Sequence, residues 1–379
     1  RSIVFNGEIY NYKELRSSLK KKGYSFNTES DTEVLAALYI EYAEECLHFL
    51  NGMFAFTIYD EKNQTLFIAR DRLGQKPLHY MINGKNIEIA SQIKQIKLGN
   101  NLTINDTAVN AFFKYKYIPE PFSIYNEIKK LPAGHWGKFD LNSGSLVINK
   151  YWTISTDIKE HNLGYEDAKE QLKTLLKSAV NYRLISDVPL GVFLSGGIDS
   201  SLIAALSQNS SSERINTFCV KFDSPKHDES EHAQQIANHI GTNHTTIPCS
   251  LKEASNLIQT LPESFDEPFA DASAIPSLLL SKVTKEYVTV ALSGDGGDES
   301  FLGYNRYDYI NKYKNIYKLP LAQRKLVAQL MKSTKIEKFD LISSILKEPD
   351  IGRFYHRMIQ PINQSYFDGN SSKSLFNHF

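Results

Sequence analysis

Val192-Phe193-Leu194-Ser195-Gly196-Gly197-Ile198-Asp199-Ser200-Ser201 is the stretch that decides how the second half of this 379-residue chain folds. Three apolar residues run into a Ser-Gly-Gly turn and a helix opens directly behind it. A strand that ends this way aims bare backbone N–H groups and a helix N-terminus at one point, an arrangement suited to phosphate. Gly196 and Gly197 carry no Cβ to block close approach, and Ser195, Ser200 and Ser201 supply hydroxyls. Asp199 is placed to hold a magnesium ion between phosphate oxygens. The loop differs from a Walker A sequence in lacking its lysine and its longer glycine spacing. Taken alone, Ser-Gly-Gly would equally fit a plain strand-to-helix turn with a serine cap.

A second stretch argues against the plain turn. Val290-Ala291-Leu292-Ser293-Gly294-Asp295-Gly296-Gly297-Asp298-Glu299 again joins an apolar strand to a glycine-rich loop. In an open parallel sheet the C-terminal strand ends gather along one edge, so the two loops are expected to face one ligand. Asp295, Asp298 and Glu299 crowd like charges into a short turn, which calls for a cation or a basic group among them unless it is simply a solvated acidic turn.

Outward from these loops the chain alternates helix and strand. Ala168, Leu172, Leu175, Leu176 and Ala179 form a helical stripe. Strands are expected at 190–194, 217–222, 245–247 and 288–292, with a helix near 200 and another carrying Ala233, Ile236, Ala237 and Ile240 on one face. This rhythm predicts an α/β unit whose parallel sheet has helices on both faces. Beyond Tyr304 the sequence reads as helical. His227, His232, His239 and His244 fit no metal-ligand spacing and are read as exposed helix and loop positions.

The first half reads differently. Short runs at 3–5, 54–59, 65–69, 78–82 and 86–90 have strand character, with turns at Glu61-Lys62-Asn63 and Asn83-Gly84. Helical spacing appears over 12–22 and 32–49, with Asp31 or Thr32 as the expected cap of the second helix. These features predict an α+β unit with antiparallel sheets. From Pro119 to about Glu166, prolines and glycines interrupt the pattern. We read this stretch as the connector, with Trp136 and Trp152 as packing residues, and set the units at 1–150 and 151–379.

Composition excludes several classes. Lys plus Arg and Asp plus Glu number 43 each, so no global field would gather DNA or RNA. Three widely spaced cysteines, Cys46, Cys219 and Cys249, fit reduced thiols in a cytoplasmic protein rather than a disulfide framework. The absence of a long apolar run argues against a membrane partner. The chain opens on Arg1 and stops at Asn377-His378-Phe379, which we read as a fragment of something longer.

Leu194 to Ser201 and Leu292 to Glu299 together resemble the two nucleotide motifs of the glutamine-dependent asparagine synthetase family, whose synthetase domain is adenine nucleotide α-hydrolase-like. Phe5-Asn6-Gly7-Glu8-Ile9-Tyr10-Asn11, Ser30-Asp31-Thr32-Glu33 and Arg70-Asp71-Arg72-Leu73-Gly74-Gln75-Lys76-Pro77-Leu78 are similar to stretches of that family's class II glutaminase domain, an αββα fold of the Ntn-hydrolase type. The resemblance implies that Asn6 and Gly7 form an oxyanion-hole pair, and that Glu8 and Asp31 help to bind glutamine, Asp31 through its α-amino group. From the residues alone, Asn6-Gly7 would be read as a turn. The resemblance further implies that Leu194, Val220, Ser293 and Gly294 hold the nucleotide, and that Asp199 and Asp298 are magnesium ligands. Asp295 falls where the family commonly carries a glutamate that assists carboxylate activation. That departure, and Gly-Gly where Gly-Ser is common, leave the acceptor open.

The implied reaction uses ATP and Mg2+. Glutamine is hydrolysed in the first domain and ammonia passes internally to the second, where the side-chain carboxylate of aspartate is adenylated and then amidated. The family's nucleophile is an N-terminal cysteine, whereas Arg1 begins this chain, so the chain as written is expected not to hydrolyse glutamine. The family's catalytic lysine lies later than the matched region. Rival readings are an amidotransferase acting on another carboxylate, such as a uronic acid sugar in surface polysaccharide synthesis, and a non-catalytic nucleotide-binding protein. An argininosuccinate-type ligase would leave the first half unexplained. The oligomeric state is open, a homodimer being the assembly considered.

Overall fold

A computed structural model of the chain describes residues 1–155, 163–185, 188–223, 228–332, 342–343 and 345–359. Strands β1 (Ser2–Ile9), β2 (Gly52–Asp60) and β3 (Thr65–Arg70) are followed by β4 (His79–Asn83), β5 (Asn86–Ala90), β6 (Ile128–Lys130), β7 (His135–Asp140) and β8 (Ser145–Lys150). They form two antiparallel sheets, ordered β1-β2-β3-β7-β8 and β5-β4-β6. Helices α1 (Tyr12–Lys21), α2 (Asp31–Tyr42) and α3 (Cys46–Phe49) cover the outer face of the first sheet. Leu19, Val34, Leu35, Leu38 and Leu47 pack there against Ile9, Phe54, Phe56 and Phe67. Between the sheets lie Ala55, Ile68, Leu78, Tyr80 and Leu131. Helices α4 (Ile93–Lys97) and α5 (Asp106–Tyr115) close the second sheet through Ile93, Ile96 and Ala108 on Met81 and Ile128. Three apolar seams thus separate four layers in the order α, β, β, α, the arrangement that the family resemblance implies for the α+β unit.

Three local expectations change. Ser30, rather than Asp31 or Thr32, caps α2, its hydroxyl accepting from the Thr32 N–H at 3.1 Å. Asn6-Gly7 is no turn, for both residues pair inside β1 with Ala55 and Phe54. The irregular stretch after Pro119 is not merely a connector, because it holds β6, β7 and β8, and Trp136 on β7 packs on Phe67. Prolines and glycines there mark loops between short strands, two of which, β6 and β7, pair with β4 and β3 far back in the chain, beyond the reach of a local pattern.

The second half carries β9 (Leu190–Phe193), β10 (Asn216–Phe222), β11 (Asn243–Cys249) and β12 (Val290–Leu292), all parallel, in the order β11-β10-β9-β12. Its helices begin with α6 (Tyr165–Leu184), α7 (Ile198–Asn209) and α8 (Ser230–Ile240). They continue with α9 (Leu251–Ile258), α10 (Leu261–Phe265), α11 (Ala274–Thr284) and the short α12 (Gly297–Phe301). Ala204 of α7 and Ala233 and Ala237 of α8 pack on Val192, Leu194 and Cys219. Leu279 of α11 and Leu257 of α9 pack on Phe218, Ile247 and Val288 on the other face. Helices α13 (Asn305–Tyr313), α14 (Leu321–Lys332) and α15 (Ile351–Ile359) follow, as the sequence beyond Tyr304 suggests. The stripe on α6 forms a helix but not a buried face, since Leu172 and Leu175 remain exposed and Val180 is its buried residue. No helix of the described residues is long and apolar enough to cross a membrane.

Candidate functional site

The first candidate site lies on β1. Strand alternation turns Ile3, Phe5 and Ile9 toward the helical layer, which leaves Val4 and Asn6 exposed on the opposite face. Gly7 is dictated by packing, because a Cβ there would lie 2.1 Å from the Met53 carbonyl oxygen and 2.8 Å from Phe54 Cα. Gly52 answers it across the pair, its Cβ position falling 2.3 Å from the Glu8 carbonyl. The two glycines let β1 and β2 approach more closely than side chains would allow. Asn6 donates its side-chain N–H to Ser91 Oγ at 3.1 Å. Asp31 accepts the backbone N–H of Ile9 at 2.9 Å, which sets the start of α2 beside the end of β1. Glu8 is half-buried, two residues after Asn6 on the same strand.

Asp71 supports this edge, a role that its sequence motif does not disclose. Its carboxylate is buried and accepts backbone N–H groups from Phe54 (3.1 Å), Leu73 (3.1 Å), Gln75 (2.9 Å) and Lys76 (3.0 Å). A charged acceptor ringed by donors is a strong use of a buried carboxylate. Phe54 is also the partner of Gly7, so Asp71 ties the 71–76 turn to the strand pair that carries Asn6. Arg70 completes the brace by donating to the carbonyls of Lys76, Gly74 and Leu131 and to Glu120. An acid just before a glycine turn is an Asx-turn signal, and that much could have been read.

The second site forms where β9 and β12 end side by side, Leu292 pairing with Val192. In the first loop the Ser195 N–H donates to Ser200 Oγ at 3.2 Å, and the two hydroxyls lie 3.0 Å apart. Ser200 and Ser201 hydroxyls both donate to the Gly197 carbonyl, at 3.3 and 2.6 Å. The loop hydroxyls therefore shape the loop itself, while helix geometry leaves the N–H groups of Ile198 and Asp199 without intrahelical acceptors. The glycines are not equivalent. Gly196 has φ +88°, and a Cβ there would meet His232 Cβ at 3.0 Å and the Ala233 nitrogen at 3.1 Å, so the protein itself requires it. Gly197 has an ordinary φ of −70°, and its Cβ position lies 3.4 Å from Ser195 Oγ.

The two loops touch. A Cβ on Gly294 would fall 2.8 Å from the Ser200 nitrogen, and one on Gly297 would fall 2.4 Å from Asp199 Cγ. The Asp199 carboxylate thus rests against the residue that precedes Asp298. Leu194 is buried in the core, so only its backbone can reach a ligand, while Val220 packs on the opposite face of the sheet. In the acidic turn, hydroxyls engage two of the three acids. Asp295 accepts the Ser293 hydroxyl at 2.9 Å, and Glu299 accepts the Tyr304 hydroxyl at 2.6 Å, which holds its carboxyl below the usual range. Among the described residues no three His, Cys, Asp or Glu side chains gather as a metal set.

Of the four histidines, His227 lies outside the described residues. His232 and His239 are exposed on α8, whereas His244 is half-buried on β11 and paired with Thr217.

Between the halves runs a contact with no sequence signal at all. Lys130 of β6 forms an ion pair with Glu267, 137 positions away, and also donates to the Ile118 carbonyl at 2.7 Å. Both ends are largely buried, which pushes the Lys130 ammonium down and the Glu267 carboxyl up through loss of hydration. The pair lines a cavity of about 550 Å³ together with Arg70, His79, Tyr117 and Phe265.

Fold and loops define a two-part chain, an αββα half joined to a parallel-sheet half with paired glycine loops. Residues 1–152 match the family model of a glutamine amidotransferase domain, and residues 171–362 match that of asparagine synthase. The chain belongs to the asparagine synthase family. It is 36% identical over 327 residues to asparagine synthetase [glutamine-hydrolyzing] 1 of Bacillus subtilis, covering 86% of this chain and 51% of that protein. A second relative, asparagine synthetase [glutamine-hydrolyzing] 3 of the same organism, is 32% identical over 80% of this chain and 52% of its own length. Asparagine synthetase B [glutamine-hydrolyzing] of Escherichia coli is 31% identical over 86% of this chain and 56% of its own length. The chain spans about half the length of these relatives.

Proposed function

We propose that this chain carries the glutaminase and ATP-binding parts of a glutamine-dependent asparagine synthetase, divided at about residues 150 and 151. The observation that carries the reading is the contact of the two glycine loops at the ends of neighbouring parallel strands, Gly294 on Ser200 and Gly297 on Asp199. One pocket edge then presents backbone donors from both loops to a single nucleotide. The N–H groups of Ile198 and Asp199 at the start of α7 stabilise the phosphate charge of ATP as a substrate carboxylate attacks the α-phosphate and pyrophosphate leaves. Ser293 and Gly294 border the same edge, Leu194 offers its backbone, and Asp295 stands where the carboxylate is activated. Val220, on the far face of the sheet, reaches the nucleotide only from the strand end.

Asp199 and Asp298 suit a magnesium ion in donor chemistry, being two carboxylates on touching loops. Magnesium commonly takes one or two carboxylates plus phosphate oxygens and water, and when bound it neutralises charge on the departing phosphates. Asn6 and Gly7 form the oxyanion pair for glutamine, with Glu8 and Asp31 at its α-amino and carboxylate end. Asp31 keeps acceptor capacity for that role, since its described bonds are one from Ile9 N–H and a long 3.4 Å contact with the Thr32 hydroxyl. Ammonia released there amidates the adenylated aspartate. A cytoplasmic setting agrees with three free, buried cysteines, of which Cys46 is pushed up to about 12 by burial and is no nucleophile. A homodimer is the assembly we propose.

The test is pyrophosphate release by the full-length protein with MgATP and glutamine across a panel of acids. Asparagine formed stoichiometrically from aspartate is the expected product. Release with a uronic acid sugar but not with aspartate would replace the acceptor, and no release with any acid would defeat the reading.

A further inference from the structure

We infer that Ser91 is the positioning residue of the glutaminase site, holding the Asn6 carboxamide in the orientation that presents its second N–H to the oxyanion. The inference rests on the assignment of Asn6 made above. Asn6 is exposed on an edge strand, and a side chain so placed is free to rotate unless something fixes it. Ser91, directly after β5, reaches across from the other sheet and accepts one of the two N–H groups of Asn6 at 3.1 Å. With that proton engaged, the amide plane is set and the remaining N–H points away from Ser91.

Ser91 is itself held. Its carbonyl lies 3.2 Å from Nδ1 of His79, and a carbonyl can only accept, so Nδ1 carries the proton. His79 opens β4 and pairs with Ala90, the last residue of β5, so its ring and its backbone grip the same corner of the second sheet. The ring is buried, and burial with the nearby Lys130 charge keeps it neutral, which preserves one tautomer through the working pH range. The path His79 to Ser91 to Asn6 therefore runs from a rigid, buried anchor to an exposed donor that would otherwise wander. Donors set in advance toward a developing charge are what such sites depend on.

The experiment compares N6A, S91A and S91T in the full-length enzyme by glutamate release from glutamine. Ammonia-dependent amide synthesis by the other half serves as the check on folding. For S91A, kcat is expected to fall about 10- to 100-fold with KM nearly unchanged, as misplacement of a catalytic group does. S91T, which keeps the acceptor oxygen, is expected to recover most of the rate, and ammonia-dependent synthesis stays at the wild-type level in all three. If N6A abolishes glutamate release while S91A leaves kcat intact, or if S91T is no better than S91A, Ser91 does not position Asn6. If N6A itself leaves kcat intact, the assignment of Asn6 fails and the inference fails with it.

Discussion

The two halves build their candidate sites by opposite means. On β1, Asn6 and Gly7 stand on a strand whose geometry is set by buried groups, namely the Gly7–Gly52 approach and the Asp71 carboxylate under Phe54. At the ends of β9 and β12 the candidate groups sit on loops that bond to themselves through Ser195, Ser200, Ser201 and Ser293, with exposed N–H groups left over. The first design fixes donors by packing. On the proposed function the second leaves them to the nucleotide, so damage at the first should appear as lost stability and damage at the second as lost binding.

Gly7→Ala tests the first half of that contrast most severely. A methyl group 2.1 Å from a backbone carbonyl cannot be relieved by a side-chain shift, so the cost should exceed the roughly 1–3 kcal/mol of ordinary overpacking. Loss of the folded first half, seen as loss of soluble protein or of its melting transition, is the expected result; a variant with wild-type Tm would show that β1 is not locked.

The ion pair between the halves comes next. Lys130→Met alone strands a buried carboxylate and should cost about 3–5 kcal/mol, whereas Lys130→Met with Glu267→Leu should come back close to wild type. Equal losses in single and double variants, measured by urea unfolding, would mean that the pair contributes through packing and not through charge.

His79 gives a pH effect of calculable sign. Its ring sits near 4 in the folded protein against about 6.5 in an unfolded chain. As pH falls from about 6.5 to about 4 the unfolded chain takes up a proton that the folded one refuses, so stability declines over that window by about 3 kcal/mol. His79→Gln should remove that share of the slope between pH 7 and pH 4, and an unchanged slope would place the ring in contact with water.

Gly197→Ala should have the smallest effect on stability, below about 1 kcal/mol, because its backbone is ordinary and its Cβ position only touches Ser195 Oγ. The same change should weaken MgATP binding by about tenfold, or 1.4 kcal/mol, in calorimetry, where a methyl group meets phosphate rather than protein. Unchanged affinity would move the nucleotide away from this turn.

Much of the second half was legible because its code is local. An apolar run, a glycine turn and a cap follow one another along the chain, and parallel strands with helices on both faces leave a regular alternation. The first half was less so. Asn6-Gly7 satisfies a turn pattern, and only its pairing with Ala55 and Phe54 makes it a strand. The segment after Pro119 looked like a connector because strands of three to six residues carry little periodicity, and their identity comes from partners such as Ile68 and Leu66 of β3.

Residue order by itself determined the positions of both glycine loops, whose strand, turn and helix signals are consecutive in the chain, and the two-part architecture and the family, through motifs spread from Phe5 to Glu299. Tertiary structure alone decided that Gly196 is required by α8 while a Cβ on Gly197 would meet only Ser195 Oγ, that Asp199 lies on Gly297, and that Lys130 meets Glu267. It also brought Ser91 to Asn6 across 85 positions. Those facts are distances between atoms far apart in the chain, set when apolar seams close and buried polar groups must find partners, and no local pattern encodes them.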